Sequence, residues 1–448
     1  MSQVSSGTVV NLFKKVYGDI NDLIPEDYAL SQDIPFSQKQ KVGETYSEAV
    51  VLTNETGWTL GGSGTDAFDI NPAIAGTVKQ TTVNPFISIL ASVVPFSVLA
   101  RSAGGGEKSF YDGTKFIVKN NLKSHGKLLE TLRWYGQAEA LLGYVSYATA
   151  TYRGVALTTG TGTLVSDVFG SVAFTNGINA AGKYILMAPG QFAAGIWIGS
   201  EGAIVQQLSS SAIVQEGSLV AVDSQLGIIQ VDFTPTAASS TTSHRLGFKG
   251  QFEGNDALGV NKIMSTNGSL FGISTAAYNI WKGSNVALGG VKFTLARLQT
   301  AIAQAVNRGG LGGEGESSGD LKVYVNPRTW ATLITDEAAL RKYDSSYKSG
   351  EAENGMESIT FYHQAGKAMI KPHRFVKEGE SYCLHLDDWS RSGSAEISFT
   401  VPGIDKEIIF PLENTAAMAF RSYSDQYMFC HAPAKSVIIT GINDESAT

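Results

Sequence analysis

One long helical pattern, over residues 106–143, interrupts a sequence that otherwise consists mainly of short strand patterns and glycine-rich turns. Its apolar residues recur at the spacing of a single helix face: Phe116, Ile117, Leu122, Leu128, Leu129, Leu132 and Tyr135. A continuous helix of this length would span roughly 55 Å at 1.5 Å per residue. Gly113 and Gly126 weaken the pattern, and we expect them to mark bends. Any fold for this chain has to accommodate that one long element.

The segment before the helix has a strand pattern. β-prone runs at residues 49–52 and 74–83 flank the glycine-rich turn at residues 61–66. This order predicts a long hairpin with a flexible tip. Because an isolated two-stranded hairpin is marginally stable in water, a projecting hairpin would need a neighbouring subunit as support.

Residues 150 to 255 change to short β-prone runs separated by Gly, Ser, Thr and Asn. Four such runs are residues 152–157, 184–187, 195–198 and 227–233. Their strand-like spacing predicts a separate β-rich domain. We expect the polar segment 235–243 to be a linker that leads out of it.

The remaining residues, 256 to 448, alternate helix and strand patterns. The clearest helix is 295–307, with Thr294 as N-cap and Gly309 as stop signal. A second helix is predicted from 328 to 333, or on to 339. The predicted strands are residues 321–325, 358–362, 368–370, 382–386, 397–401 and 436–440. Together these patterns predict the mixed α+β class.

The composition favours a protein whose surface is largely covered by partner molecules. Charged residues make up 17% of the chain, against roughly 25% in ordinary soluble domains. Fewer charges commit less surface to water, although a glycine-rich membrane or fibrous protein shares this feature. The 49 glycines show no G-X-Y period, which excludes collagen. The net charge of -7 indicates a molecule that is not built to wrap nucleic acid.

The sequence predicts a cytosolic chain without membrane contact. Two cysteines, Cys383 and Cys430, cannot form a disulfide framework. Residues 1–11 lack the basic and apolar regions of a signal peptide. The most apolar stretch, residues 86–100, contains Pro95 and is shorter than the ~20 residues that span a bilayer.

Two motifs typical of catalytic or nucleotide sites overlap in one loop. Gly310, Gly312 and Gly315 match G-x-G-x-x-G, and residues 315–319 match G-x-S-x-G around Ser317. Both motifs function between an incoming strand and an outgoing helix. Here a helix precedes the loop and a strand follows it, so a glycine-rich loop is the better interpretation. A hydrolase acting through Ser317 is the weakest alternative, and no enzyme or cofactor is predicted.

A metal site is also considered and not predicted. The candidate ligands are Cys383, His385, Cys430, His431, His363 and His373. Cys383 and His385 share one face of a predicted strand, but the compact paired spacings of Cys/His zinc sites are missing. Half-buried strand residues explain this set better.

A run of lysines forms what we call the basic ridge. Its members, most of them spaced four apart, are Lys108, Lys115, Lys119, Lys123 and Lys127. Such a track could face packaged DNA or an acidic scaffold. The alternative, which we favour, is a solvated helix face or one paired with a neighbour's acids.

Several segments resemble the major capsid proteins of tailed double-stranded DNA bacteriophages, which have the Hong Kong ninety-seven fold. The similar segments are residues 12–19 (LFKKVYGD), 23–25, 46–58 (YSEAVVLTNETGW), 271–274, 324–330 (YVNPRTW), 389–394 (WSRSGS) and 432–442. They span nearly the whole chain. The order of arm, hairpin, long helix and α+β body is similar as well.

The resemblance implies a division of the chain into the parts of a capsid subunit. These are an N-terminal arm (1–42), an extended hairpin loop (43–90), the spine helix region of a peripheral domain (91–149), a β-rich insertion domain (150–255), a largely axial domain (256–360), and a return through both domains to a final strand (361–448). Subunit-interface residues are expected in the arm and the hairpin: Phe13, Tyr17, Trp58, Gly62, Gly64 and Phe68.

The resemblance also implies function and partners. The chain would self-assemble through hexamers and pentamers into an icosahedral shell around double-stranded DNA, held by non-specific contacts. Portal, scaffold and decoration proteins would be further partners; the arm is too short for a fused scaffold, so a separate one is expected. Assembly would occur in the host cytoplasm. The alternatives are an encapsulin-like nanocompartment shell and a virion decoration or surface-binding protein.

Overall fold

The structure is a computed structural model. It describes residues 28–37, 45–61, 69–97, 113–139, 141–145, 150–152, 155–157, 162–209, 212–237, 244–251, 256–312, 319–341, 359–399, 409–412 and 415–444.

The helices of the described residues vary widely in length. They are α1 (Ala29–Asp33), α2 (Gly113–Tyr135), α3 (Ala194–Trp197), α4 (Val260–Ser265), α5 (Leu295–Gly309) and α6 (Pro327–Arg341). Short 3-10 turns are Asn279–Trp281, Leu386–Asp388 and Pro433–Lys435. No helix of the described residues has the length and hydropathy required to cross a bilayer.

The strands of the described residues form three large sheets and several hairpins. The first sheet contains β1 (Phe36–Ser37), β4 (Phe86–Pro95), β23 (Trp389–Ser398), β24 (Ile409–Pro411) and β25 (Ala417–Cys430). The second has the order β10 (Ile178–Asn179), β11 (Tyr184–Leu186), β14 (Ile228–Val231), β13 (Ala212–Asp223), β12 (Ile204–Ser209) and β15 (His244–Phe248). The third has the order β18 (Ser284–Val291), β26 (Val437–Ile442), β22 (Glu380–Leu384), β19 (Leu321–Val325), β21 (Gly366–Pro372) and β20 (Ile359–His363).

Smaller strands complete the architecture. Two-stranded pairs are β2 (Ala49–Thr53) with β3 (Thr77–Gln80), β6 (Ala150–Tyr152) with β7 (Val155–Leu157), β8 (Gly162–Ser166) with β9 (Gly170–Phe174), and β16 (Ser269–Leu270) with β17 (Ile273–Ser274). The short strand β5 is Gly143–Tyr144. The mixture of helices and mixed sheets confirms the α+β class.

The long helix is confirmed, with different limits from those predicted. Within the described residues α2 runs without a break through Gly126, and a bend of its axis there stays a prediction. It ends at Tyr135, and the following Gly136 makes a close approach to Ala257 that leaves no room for a side chain. A Cβ atom on Gly136 would lie 2.1 Å from the Ala257 carbonyl oxygen. The next residue, Gln137, has a φ of 52°, which takes the chain out of the helix.

Polar side chains join α2 to the first sheet. His125 lies between two serines: its Nε2 is 2.7 Å from Ser88 Oγ of β4, and its Nδ1 is 2.8 Å from Ser422 Oγ of β25. One turn earlier, Asn121 donates to Ser92 Oγ at 2.8 Å. Because β4 pairs with β25 over ten residues, these contacts fix the helix across two neighbouring strands.

The second sheet is not a separate domain, contrary to the prediction for residues 150–255. Met187 and Trp197, both fully buried, belong to the same apolar cluster as Trp134 of α2 and Tyr382 of β22. A small satellite cluster around Phe174 and Leu186 packs β8 and β9 onto this sheet. The β-rich segment therefore shares the core of the body.

Two local predictions are wrong, and a third needs different limits. Segment 235–243 does not lead out of the β-rich region, because β15 follows it and pairs with β12 of the same sheet. Residues 195–198 form most of the single-turn helix α3 instead of a strand. The strand predicted at 397–401 is confirmed at residues 397–398, which end β23, but this strand already starts at Trp389, and residues 400–401 lie outside the described residues. Short apolar runs do not distinguish a buried helical turn from a strand.

Other predictions are confirmed. Helix α5 begins after Thr294, whose Oγ1 accepts a hydrogen bond from Arg297 N at 3.4 Å. It ends at a left-handed residue, Gly310, one position after the predicted stop. The strands predicted at residues 321–325, 358–362, 368–370, 382–386 and 436–440 correspond to β19, β20, β21, β22 and β26.

The position of His125 predicts a loss of stability in acid. Burial, with a smaller contribution from the charge of Arg133, lowers the pKa of His125 from 6.5 to about 4. The unfolded chain then binds the proton more tightly, so the contribution is full above pH 6.5 and is lost as the pH falls toward 4. Between pH 7 and pH 4 we expect the free energy of unfolding, measured in urea, to fall by about 3 kcal/mol less in His125→Gln than in the parent chain.

Asn121, which contacts the same strand β4 but has no ionisable group, provides the control. Asn121→Ala should lose stability equally at pH 7 and pH 4 and so retain the acid sensitivity of the parent chain. Equal losses in the parent chain and the His125 variant would show that another group is responsible.

Candidate assembly surfaces

The predicted hairpin is present and is anchored at its base. Strands β2 and β3 pair antiparallel, with isolated bridges from Tyr46 to Val83 and from Thr56 to Ile74 on either side. The Tyr46 ring stacks on Tyr427 of β25 with centroids 5.1 Å apart. The hairpin therefore starts from the first sheet at a fixed position.

Beyond its base, the hairpin exposes apolar side chains to solvent. These exposed side chains are Val51, Trp58, Leu60, Ile70, Ile74 and Val78. Near the tip, Trp58 is 78% exposed, Leu60 93% and Ile70 82%. Large apolar side chains clustered on one projecting element mark a surface that binds another molecule. The hairpin has little apolar core of its own to stabilise it.

Of the interface residues predicted from the sequence, Trp58 lies in the described part of the hairpin and is exposed. The other predicted interface residues, Phe13, Tyr17, Gly62, Gly64 and Phe68, lie outside the described residues. Their interface role stays a prediction.

The basic ridge does not continue along the helix as an open track. Lys119 is exposed and Lys123 is half-buried. The Nζ of Lys127 donates to the carbonyl oxygen of Ile198, and burial lowers the pKa of Lys127 to about 8. Lys108 and the side chain of Lys115 lie outside the described residues. Contact of the ridge with DNA or scaffold stays a prediction.

Lys127 lines a groove of about 600 Å³ beside α2. The groove lies between α2, the strand β4 and the second sheet. Its lining residues are Ile89, Leu90, Ser124, Lys127, Leu128, Thr131, Gly199, Ser200, Glu201, Ala203, Ile204, Phe248 and Lys249. The sequence pattern gave no indication of this groove, because the elements that form it are distant in the chain.

A third feature is the tight attachment of residues 28–37 to the body. The fully buried carboxylate of Glu130 accepts hydrogen bonds from Leu30 N, at 3.1 Å, and from Ser31 Oγ. Its other neighbours are Arg133, at 3.4 Å, and His373, whose Nε2 is 3.5 Å away. Burial alone would raise the pKa of Glu130, but the contacts with His373 and Arg133 lower it.

A second buried arginine holds the same segment. Arg391 of β23 donates from Nε to the Ile34 carbonyl oxygen at 3.1 Å and from Nη2 to the Ser31 carbonyl oxygen at 3.2 Å. Asp33 binds Lys322 and the hydroxyl of Tyr324 in β19. Strand β1 then pairs parallel with β23. The end of the predicted arm is thus part of the folded body.

The sequence analysis missed this attachment, although it contained one signal. Glu130 and Arg133 lie three residues apart among Leu129, Leu132 and Trp134, on the apolar face of the helix. Charged residues on a buried face are rare unless they are paired. That exception could have indicated a buried ion pair.

The residues considered for chemistry lie apart. The described parts of the loop after α5 place Gly310 and Gly312 in left-handed backbone, whereas Glu314, Gly315, Glu316 and Ser317 lie outside the described residues. Cys383 and Cys430 are buried free thiols whose pKa is raised by burial. Among the described residues, no three His, Cys, Asp or Glu side chains are grouped as metal ligands.

Comparison with solved structures identifies the fold. A chain of the cyanophage A-1(L) capsid asymmetric unit superimposes with a TM-score of 0.50 at 9% identity, covering 96% of each chain. This chain has a phage capsid fold. The predicted fold is therefore confirmed over nearly the full length.

Two further matches cover the chain almost completely at lower similarity. One is the capsid of a native GTA particle, with a TM-score of 0.45, 8% identity and 99% of each chain covered. The other is the holo-SrpI encapsulin complex of Synechococcus elongatus, with a TM-score of 0.41, 6% identity, and 100% and 99% of the two chains covered. No family model matches the sequence, and a search of curated proteins finds no match.

The buried carboxylate predicts a large mutational effect. We expect Glu130→Gln to lower the free energy of unfolding by about 3–5 kcal/mol, because Arg133 remains buried without its partner. Urea unfolding at pH 7 measures the loss, and limited proteolysis should show earlier cleavage within residues 28–37.

The matched control is Glu396→Gln. Glu396 also pairs with a buried arginine, Arg391, at 2.6 Å, but its side chain is 45% exposed. Its loss should cost less than about 1 kcal/mol. Similar costs for both variants would contradict the role assigned to Glu130.

Proposed function

We propose that this chain is the major capsid protein of a tailed phage, which self-assembles into an icosahedral shell enclosing double-stranded DNA. The capsid fold supports the proposal at the level of architecture. The observation that carries it is the projecting hairpin, whose exposed apolar side chains include Trp58, Leu60 and Ile70. Exposed apolar side chains clustered in this way mark a site of contact with another molecule.

The size of the apolar surface indicates how assembly would proceed. Full burial of Trp58, Leu60 and Ile70 would contribute on the order of 5–9 kcal/mol at about 1.5–3 kcal/mol per side chain. Association costs about 4–15 kcal/mol in lost translational and rotational freedom. The free energy gained from one hairpin contact is therefore similar to the cost of association. Closed rings are favoured, because in a ring every subunit both provides a hairpin and binds one. Hexamers and pentamers are such rings.

The proposed partners follow from the shell. Copies of the chain form the capsomers, while portal, scaffold and decoration proteins complete the particle. With a net charge of -7, contacts with packaged DNA would be non-specific. Assembly would take place in the host cytoplasm, and the role is structural, without catalysis or cofactor.

Shortening the hairpin tests the proposal. Deleting residues 62–65, between Gly61 and Asp66, should leave the subunit folded, because the flanking described residues Leu60 and Ile70 are exposed and do not belong to the main apolar core. Shells should be lost, because the hairpin would no longer reach its neighbour. Negative-stain microscopy and sedimentation of the protein, expressed alone and with its neighbouring genes, measure the yield.

Point variants distinguish the effect of the hairpin's length from the effect of its apolar side chains. The double variant Trp58→Ser, Leu60→Ser keeps the length and should also assemble poorly. The control Val165→Ser removes a side chain that is 76% exposed on β8 and should form normal shells. Normal particle yield from the shortened chain would refute the proposal, and shells filled with protein cargo would favour a nanocompartment.

A further inference from the structure

Two buried arginines converge on one amide oxygen. Arg133 of α2 donates from Nη2 to Gln426 Oε1 at 3.0 Å, and Arg391 of β23 donates from Nη1 to the same atom at 3.4 Å. None of the three side chains is more than 9% exposed. The amide oxygen accepts both hydrogen bonds but carries no net charge, so it neutralises neither guanidinium group.

The carboxylates near the two arginines differ in burial. Glu130 is fully buried and lies 3.4 Å from Arg133 Nη1, whereas Glu396 lies 2.6 Å from Arg391 Nη2 but is 45% exposed. Burial and the charge of Arg391 lower the pKa of Arg133 to about 10, although Glu130 and Glu396 act in the opposite direction. The protein therefore compensates the buried positive charge only in part.

A small cavity lies where these side chains meet. Its volume is about 10 Å³, which is enough for one water molecule or one monatomic ion and too small for phosphate or sulfate. Arg133, Arg391, Gln426 and Tyr427 contribute polar side chains to its lining. The remainder of the lining is apolar: Phe86, Leu129, Leu132, Ala257, Leu258 and Met428.

One hydrogen-bond donor in this lining has no acceptor. Within the part of the chain that the structure describes, Arg133 Nε is buried and makes no hydrogen bond, although both Nη atoms of the same side chain do. A buried, charged donor without an acceptor is strongly unfavourable. The atom therefore indicates a ligand in the cavity.

The pattern of donors and acceptors distinguishes an anion from water. A water molecule in the cavity would need acceptors for its own hydrogens, but Gln426 Oε1 already accepts from two arginines and most of the lining is apolar. A halide ion has no hydrogens and accepts from every donor around it. It also supplies the negative charge that the two guanidinium groups lack.

We propose that this cavity binds one halide ion, chloride under ordinary conditions, between Arg133 Nε and the guanidinium group of Arg391. The ion connects α2 with β23 and β25, beside the contacts that the same two arginines make with Ser31 and Ile34. It makes the stability of the folded subunit depend on chloride. The inference goes beyond the proposed shell function and does not rest on it.

Urea unfolding in mixtures of sodium chloride and sodium gluconate tests the site. Total salt is held constant so that ionic screening does not change, and gluconate is too large for the cavity. One ion bound to the folded state alone should lower the equilibrium constant for unfolding about tenfold for each tenfold rise in chloride above the dissociation constant. Bromide should replace chloride.

A charge variant tests the position of the ion. Gln426→Glu places a carboxylate where the two guanidinium groups converge, so the protein itself supplies the missing charge. Its equilibrium constant for unfolding should change less than about twofold over the same chloride range. The matched control, Gln225→Glu, adds the same charge at an exposed turn residue and should keep the tenfold dependence. Circular dichroism establishes that each variant is folded.

Crystals of the parent chain grown with sodium bromide locate the ion directly. Anomalous diffraction at the bromine edge should show one peak in the cavity, beside Arg133 Nε. This measurement uses the parent chain, so it does not depend on how any variant folds.

The outcomes are distinguishable. A bromide peak in the cavity, with a chloride dependence that Gln426→Glu removes, supports the inference. Equal chloride dependence in the parent chain and Gln426→Glu overturns it, as does bromide at surface positions alone, which means an adventitious ion only. Density for water in the cavity without an anomalous signal overturns it as well, and the proposed shell function stands in each case.

Discussion

The buried carboxylate of Glu130 connects parts of the chain that are far apart in sequence. It joins the backbone and side chain of residues 30–31 to α2 and, through Arg133, to Gln426 of β25 at 3.0 Å. Because a buried charge is costly unless its partners are in place, these groups have to pack together in one arrangement. Arg391 extends the same network to β23. The orientation of α2 on the first sheet depends on this contact.

The rigid frame contrasts with the hairpin that it carries. The body contains a continuous apolar core around Trp134 and Tyr382, whose side chains are buried within the chain itself. The hairpin leaves the body at Tyr46 and leaves apolar side chains exposed from Val51 to Val78. The frame holds the hairpin base in a fixed position, and burial of the exposed side chains against another molecule would stabilise the hairpin further. The folded chain therefore has a well-packed body and one projecting element with an uncovered apolar surface.

The sequence predicted the elements whose signal lies in neighbouring residues. It missed the contacts between residues that are far apart in the chain. The hairpin, α2 and α5 follow from periodicity, turn residues and the Thr294 cap. The ten-residue strand Phe86–Pro95 was identified only as an apolar stretch, and Ala417–Cys430 was not predicted, because both depend on pairing with each other across more than 300 residues. The predicted independence of residues 150–255 failed for the same reason, since composition cannot show that Trp197 packs in the main core.

The position of the hairpin on the body determines what the proposed shell contact can build. A hairpin that packs on a different surface of the next copy makes a heterologous contact, which closes into a ring only when the rotation per subunit is fixed. Tyr46 anchors the hairpin on Tyr427 of β25, and β4 pairs with β25 over ten residues. The hairpin therefore starts beside a strand that is paired on both sides, and the direction in which it leaves the subunit follows the direction of that sheet.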